Sequence, residues 1–238
     1  MSAGLRVENL RAGYGQAMVL DNIAMTIEPG EIVAVVGANG AGKSTLLNTI
    51  AGSISPSAGS IIFDGENITS RPAHDLPRKG LALVPEGGRL FPFMTVADNL
   101  ELGGFSLPDR RGIAARMEEV MELFPILRER RDQLAGHLSG GERQMCAIAR
   151  SVMCRPKLLM LDEPSVGLSP KMVGQVFSLV QALASREGLT VMLVEQNVAE
   201  ALEVSDRAYV LDHGQIVRTG RSMDLRGDPA IQSAYMGL

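Results

Sequence analysis

The run GANGAGKST from Gly37 to Thr45 follows the spacing Gly, four residues, Gly, Lys, Ser or Thr. Glycines at Gly37, Gly40 and Gly42 let the main chain approach an anion with no Cβ in the way. The amides of these glycines and of Ala38, Asn39 and Ala41 would converge on phosphate oxygens, helped by the positive end of a helix expected from Lys43 onward. Lys43 carries the charge to neutralise β- and γ-phosphates, Ser44 has a hydroxyl to offer Mg²⁺, and Thr45 closes the motif. A glycine-rich turn opening a helix accounts for the glycines but not for Lys43 and Ser44 together.

Two further stretches carry chemistry. LLMLDE, Leu158 to Glu163, is an apolar run ending in two carboxylates. Ligands of open α/β sheets sit at the carboxyl ends of strands, so both acids are expected near the phosphates. Asp162 would hold Mg²⁺ through water and Glu163 would accept a proton from an attacking water. LSGGERQ, Leu138 to Gln144, holds a capping box: Ser139, then Glu142 three residues on. Its adjacent Gly140 and Gly141 each weaken a helix by about 1 kcal/mol against alanine, so something must come close to this backbone.

The elements that position these residues follow from hydrophobic period. Strands are expected at Leu5 to Leu10, Asn22 to Glu28, Glu31 to Val36 and Ser60 to Asp64, with a turn at Pro29-Gly30. Ile32 to Val36 is a continuous apolar run, the mark of a parallel strand covered on both faces. From Thr95 to Arg155 the period turns helical, with Ile113, Met117, Val120, Met121 and Phe124 on one face. Strands return at Lys157 to Leu161 and Thr190 to Val194 around a helix from about Lys171 to Arg186, a βαβ rhythm. A hairpin through Asp212-His213-Gly214 and a short helical tail to Leu238 complete the reading.

Composition narrows the function. With 238 residues, 45% of them apolar, the chain can bury a large core, and a net charge of −4 gives no basic excess for nucleic acid. The opening MSAGLRVENL does not read as a secretory signal, and no apolar run approaches the ~20 residues of a membrane-spanning helix. Cys146 and Cys154 read as reduced thiols on one helix, too far apart for a disulfide. His74, His137 and His213 are scattered and receive no chemistry, and the 13 methionines read as core packing.

In their order, GANGAGKST, LSGGERQ and LLMLDEP resemble the Walker A, signature and Walker B motifs of ATP-binding cassette proteins, over essentially the whole chain. The resemblance implies an α/β P-loop NTPase fold with a RecA-like core, an N-terminal antiparallel β-subdomain and an α-helical subdomain. One nucleotide-binding domain would span 1–238, its core about 1–88 and 156–238 and its helical part about 89–155. It also implies ATP and Mg²⁺ as cofactors, and a second such subunit stacked head to tail. Ser139, Gly140 and Gly141 would then complete the partner's site. Tyr14 matches the family's adenine-stacking aromatic, although an ordinary strand-end tyrosine also fits, and Ser165 to Pro170 matches the loop crossing the dimer interface.

Two positions depart from the common family pattern. Glu86, in LVPEGGR, stands where most members have glutamine, and Gln196, in LVEQN, where most have histidine. Glu86 can still meet Mg²⁺ or the attacking water. Gln196 can bond the γ-phosphate but cannot carry positive charge, which leaves proton acceptance to Glu163. With VPEGGRLFPFMTVADNLELGG and the closing AYMGL, these features are similar to the ATPase subunits of branched-chain amino acid importers and of their relatives for urea and short amides.

That similarity implies transmembrane permease subunits as partners, a periplasmic or extracellular solute-binding protein indirectly, and a peripheral place on the cytoplasmic face of the inner membrane. The Glu86 loop with Phe91, Pro92 and Phe93 would form the coupling surface, unless those rings belong to the core of the helical block. A soluble, non-transport cassette ATPase, a non-hydrolysing nucleotide sensor and a GTPase fit less well. There is no second cassette or basic extension, Lys43, Asp162 and Glu163 are all present, and no Asn-Lys-x-Asp element occurs.

Overall fold

A computed structural model describes residues 4–107 and 109–236. Its first sheet is antiparallel, formed by β1 (Leu5–Tyr14), β2 (Ala17–Ile27), β4 (Ala58–Phe63) and β5 (Glu66–Asn67) in the order β2-β1-β4-β5. β1 and β2 run longer than their alternation suggests. The register shifts between Val7 and Leu10, and Asn9 takes a positive φ of 48° there. Such a bulge breaks the period of two yet lets pairing continue.

The second sheet contains β3 (Ile32–Val36), β6 (Leu81–Val84), β7 (Leu158–Asp162), β8 (Thr190–Glu195), β9 (Arg207–Asp212) and β10 (Gln215–Arg221), ordered β10-β9-β3-β8-β7-β6. All its neighbours pair in parallel except β9 with β10. Every residue of β3, β7 and β8 is buried. Alternate side chains enter different cores: Ala34 and Val36 join one cluster, Val33 and Val35 the other. That two-sided cover is why these strands read as unbroken apolar runs.

One core lies against α6 (Gly140–Val152), α7 (Pro170–Glu187) and α8 (Val198–Val204). The other lies against α1 (Lys43–Ile50) and the antiparallel sheet. The expected helical stretch consists of α3 (Val96–Gly103), α4 (Arg110–Leu123), α5 (Pro125–Glu129) and α6, with the short α2 (Leu76–Lys79) ahead of β6. Thr95 and Asp98 form a capping box on α3. α6 ends at Val152, so Cys154 lies beyond it and the two cysteines do not share a helix. Both thiols are free, and burial pushes them up to about 12 for Cys146 and about 11 for Cys154.

A buried guanidinium fastens α4 to its neighbours. The Arg116 side chain, 3% exposed, ion-pairs with Glu187 of α7 at 3.1 Å and donates to the Val152 carbonyl at 3.0 Å. The hairpin turns on His213 and Gly214, both at positive φ. After α9 (Ser222–Arg226) and α10 (Pro229–Ile231) a helical turn runs over Gln232–Met236. Gly237 and Leu238, the end of the expected tail, lie outside the described residues.

Candidate functional site

Parallel pairing brings the carboxyl ends of four strands to one edge. Val36 is level with Glu195, Val194 with Asp162, and Leu161 with Val84. The residues that follow, Gly37, Gln196, Glu163 and Glu86, therefore leave the sheet side by side. A cleft of about 470 Å³ opens there, with Asn39, Gly40, Gly42, Lys43, Ser44 and Thr45 on its glycine-loop side and Glu86, Glu163 and Gln196 across from them. Gly42 needs its lack of a side chain. Its φ is 107°, and a Cβ would meet the Leu20 side chain at 2.9 Å.

Lys43 is buried at the floor. Its Nζ donates to the Gly37 and Ala38 carbonyls at 2.9 and 3.1 Å and pairs with Glu163 Oε1 at 3.1 Å. Glu163 has a positive φ of 45°, and its amide donates to the Val194 carbonyl at 2.9 Å. For a residue with a side chain that backbone state costs about 1–3 kcal/mol, and the fold holds it because it turns the carboxylate back toward the loop. Ser44 Oγ donates to Asp162 Oδ1 at 3.0 Å.

Burial raises the Asp162 carboxyl above the usual range, and the nearby Glu163 and Glu86 charges push the same way, against the Ser44 bond and the Lys43 charge. Asp162, Glu163 and Glu86 together leave an excess of negative charge over the single Lys43 ammonium. The oxygen donors Ser44, Asp162 and Glu86 suit Mg²⁺. Among the described residues no three His, Cys, Asp or Glu side chains are grouped to hold a metal ion by themselves.

Tyr14 stands at the rim, 57% exposed, its hydroxyl 3.5 Å from Thr45 Oγ1. Ser139 is not among the residues of this cleft. It caps α6, accepting from the Glu142 amide at 3.3 Å, and borders a different hollow with Met145 and Met172. Gly140 and Gly141 open the same helix. At Gly141 a Cβ would lie 2.0 Å from Met172 Cε, the flexible end of a side chain that would have to swing aside. A Cβ on Gly140 would meet Leu168 only at ordinary contact, 3.4 Å, so packing does not explain that glycine.

The Glu86 loop is tied to α6. Arg150 donates to the Gly88 carbonyl at 2.7 Å and the Arg89 carbonyl at 3.0 Å, and its guanidinium lies 6.0 Å from the Phe91 ring centre. Phe91 and Phe93 are 53% and 90% exposed, so neither belongs to the core of the helical block.

Sequence reasoning passed over Glu195. It is fully buried and accepts from the Ser165 amide and hydroxyl, both at 2.9 Å. Burial pushes its carboxyl up to about 7, with the Glu163 charge adding to the rise and the Ser165 bonds opposing it. The available signal was a lone acid ending the apolar LVEQN strand, overshadowed by Gln196 beside it.

Residues 20–166 match the model of the ABC transporter family. The chain is 46% identical over 233 residues to the high-affinity branched-chain amino acid transport ATP-binding protein BraG of Pseudomonas aeruginosa, spanning 98% of this chain and 99% of BraG. It is 38% identical over 234 residues to a probable branched-chain amino acid transport ATP-binding protein, LivF, of Archaeoglobus fulgidus, again spanning 98% and 99%. Among solved structures, an ATP-binding cassette of an ABC transporter in its ADP conformation superposes with a TM-score of 0.87 at 28% identity, covering 100% of both chains. With the glycine loop, the signature helix and the acidic strand end in the family's order, the chain belongs to the ABC transporter family, as an ATPase of the cassette type.

Proposed function

We propose that this ATPase energises import of branched-chain amino acids, working as a pair of cassettes beneath separate permease subunits on the cytoplasmic face of the inner membrane. The observation that carries the ATPase chemistry is the convergence of Lys43, Ser44 and Glu163 on one cleft, with Asp162 hydrogen-bonded to Ser44. The solute follows from BraG and LivF, each aligned over nearly its full length. Among the described residues no helix is long and apolar enough to cross a membrane.

The Lys43 ammonium contacts two carbonyls and Glu163. An incoming triphosphate takes over that ammonium, which frees the Glu163 carboxylate to accept a proton from water in line with the γ-phosphate. Ser44 and Asp162 would hold Mg²⁺, whose charge screens the β- and γ-oxygens when it is bound. Gln196 supplies a side-chain N–H for a γ-oxygen, and Tyr14 a face for adenine. Ser139 is exposed at a helix start, which suits it to meet the nucleotide of an opposing subunit in the head-to-tail pair. A solute-binding protein would reach this chain only through the permeases.

The test pairs chemistry with transport. Glu163→Gln should retain ATP binding and lose turnover by about 100-fold or more. A strain lacking this gene should lose uptake of labelled leucine, regained with the parent chain but not with Glu163→Gln. Undiminished leucine uptake in that strain refutes the solute, and undiminished turnover by Glu163→Gln refutes the base.

A further inference from the structure

Beyond the glycine loop, the chain must turn sharply after β7, and two elements of the proposed mechanism hang on that turn. Glu163 sits in it at positive φ, and the Ser165 to Pro170 loop starts from it. Three hydrogen bonds tie the turn to the end of β8. One is main chain only, from the Glu163 amide to the Val194 carbonyl at 2.9 Å. The others run from the Ser165 amide to Glu195 Oε1 and from Ser165 Oγ to Glu195 Oε2, each at 2.9 Å.

Glu195 is an unusual choice for this work. Its side chain has no exposed surface, and the groups acting on its charge are Ser165, the Gln196 amide and Glu163, with no cation among them. A buried acid without a cation is unfavourable unless its hydrogen bonds are needed. Here both oxygens are used at once, on the amide and the hydroxyl of one residue. The strand position that bears the clamp is followed directly by Gln196, which lines the nucleotide cleft.

We propose that Glu195 is a positioning residue for ATP turnover: its two oxygens lock Ser165, and through Ser165 hold the strained Glu163 turn and the root of the crossing loop against β8. This rests on the reading of Glu163 as the proton acceptor. The clamp needs shape rather than charge, because the Ser165 hydroxyl can either donate or accept. A glutamine at this position offers its carbonyl to the Ser165 amide and its N–H to the hydroxyl. Alanine offers neither, and aspartate falls one methylene short.

The experiment measures steady-state ATP turnover against MgATP concentration for the full chain and for Glu163→Gln, Glu195→Gln, Glu195→Asp, Glu195→Ala and Ser165→Ala, with thermal melts of each. Glu195→Ala should lower kcat by about 10–100-fold with KM within about 3-fold, because the Lys43 loop is untouched. Glu195→Gln should stay within about 3-fold of the parent, with Glu195→Asp and Ser165→Ala between them. The proposal is overturned if Glu195→Gln is as slow as Glu195→Ala, which would make the carboxylate a proton carrier. It is equally overturned if Glu195→Ala and Ser165→Ala both turn over at the parental rate, or if their losses match the unfolded fraction in the melts. Failure of the Glu163 reading is separate, because it shows as undiminished turnover in Glu163→Gln.

Discussion

Lys43 Nζ and Glu163 Oε1 stand 3.1 Å apart at the floor of the cleft, their side chains only 3% and 12% exposed. The residue proposed to meet the phosphates and the proposed proton acceptor are thus direct partners. A buried pair of this kind is costly to break unless a new partner replaces the lost one, and a γ-phosphate does so for Lys43. On the proposed mechanism, nucleotide binding and the release of Glu163 would be one exchange.

That exchange makes affinity depend on Glu163. Glu163→Gln removes the competitor for the ammonium, so nucleotide should bind roughly 2–10-fold more tightly than to the parent. Lys43→Ala should weaken binding by at least about 10-fold, since a charge-assisted contact is lost. Equilibrium titration with a fluorescent ATP analogue reads both, and weaker binding by Glu163→Gln would show that Lys43 is not held back by that carboxylate.

Gly141 and Met172 provide a packing test. Gly141→Ala places a methyl where Met172 Cε lies, but that flexible tip can swing aside and alanine favours the helix by about 1 kcal/mol, so stability should change by less than about 1 kcal/mol. Adding Met172→Ala removes the contact altogether, and a urea titration in which Gly141→Ala costs several kcal/mol that Met172→Ala returns would show that the methionine cannot move. Turnover should stay low in the double variant if the Gly141 backbone also meets the partner's nucleotide.

Stability should fall as pH rises through the Glu195 window. Its carboxyl is raised from 4.5 to about 7, so between those values the folded chain holds a proton that the unfolded chain has released. Stability is greatest below pH 4.5 on this account and declines until about pH 7, by at most ~3 kcal/mol at 1.36 kcal/mol per unit. Asp162 is shifted in the same direction. Urea midpoints from pH 5 to 8 should show Glu195→Gln gaining on the parent across the window and level above it. An unchanged difference would assign the titration elsewhere.

Arg116 should matter to folding and not to chemistry. Arg116→Ala leaves the Val152 carbonyl unpartnered and frees the partly exposed Glu187, and should destabilise by about 1–3 kcal/mol. Turnover per folded molecule should stay near the parent's in the temperature range where the variant is folded.

Tyr14 should act through its ring. Its hydroxyl reaches Thr45 only at 3.5 Å, a weak bond, so Tyr14→Phe should leave KM for ATP within about 2-fold. Tyr14→Ala removes the ring proposed to stack on adenine and should raise KM by about 5–20-fold with little change in kcat.

Several features needed nothing beyond local chemistry. The glycine spacing before Lys43, the Ser139–Glu142 capping box, the apolar runs of β3, β7 and β8 and the helix between the last two are each written in neighbouring residues. Their periods and caps act over one turn or one strand, so composition and order suffice to read them. The Lys43–Glu163 pair, the Glu195–Ser165 clamp spanning 30 positions, the seat of Met172 on Gly141 and the exposure of Phe93 were decided only when the sheet brought distant strand ends together. A buried carboxylate looks the same in a sequence whether its partner is solvent or a hydroxyl from another strand. Strand order and register alone settle which groups share a dry space, and there a few ångströms decide between repulsion and a bond.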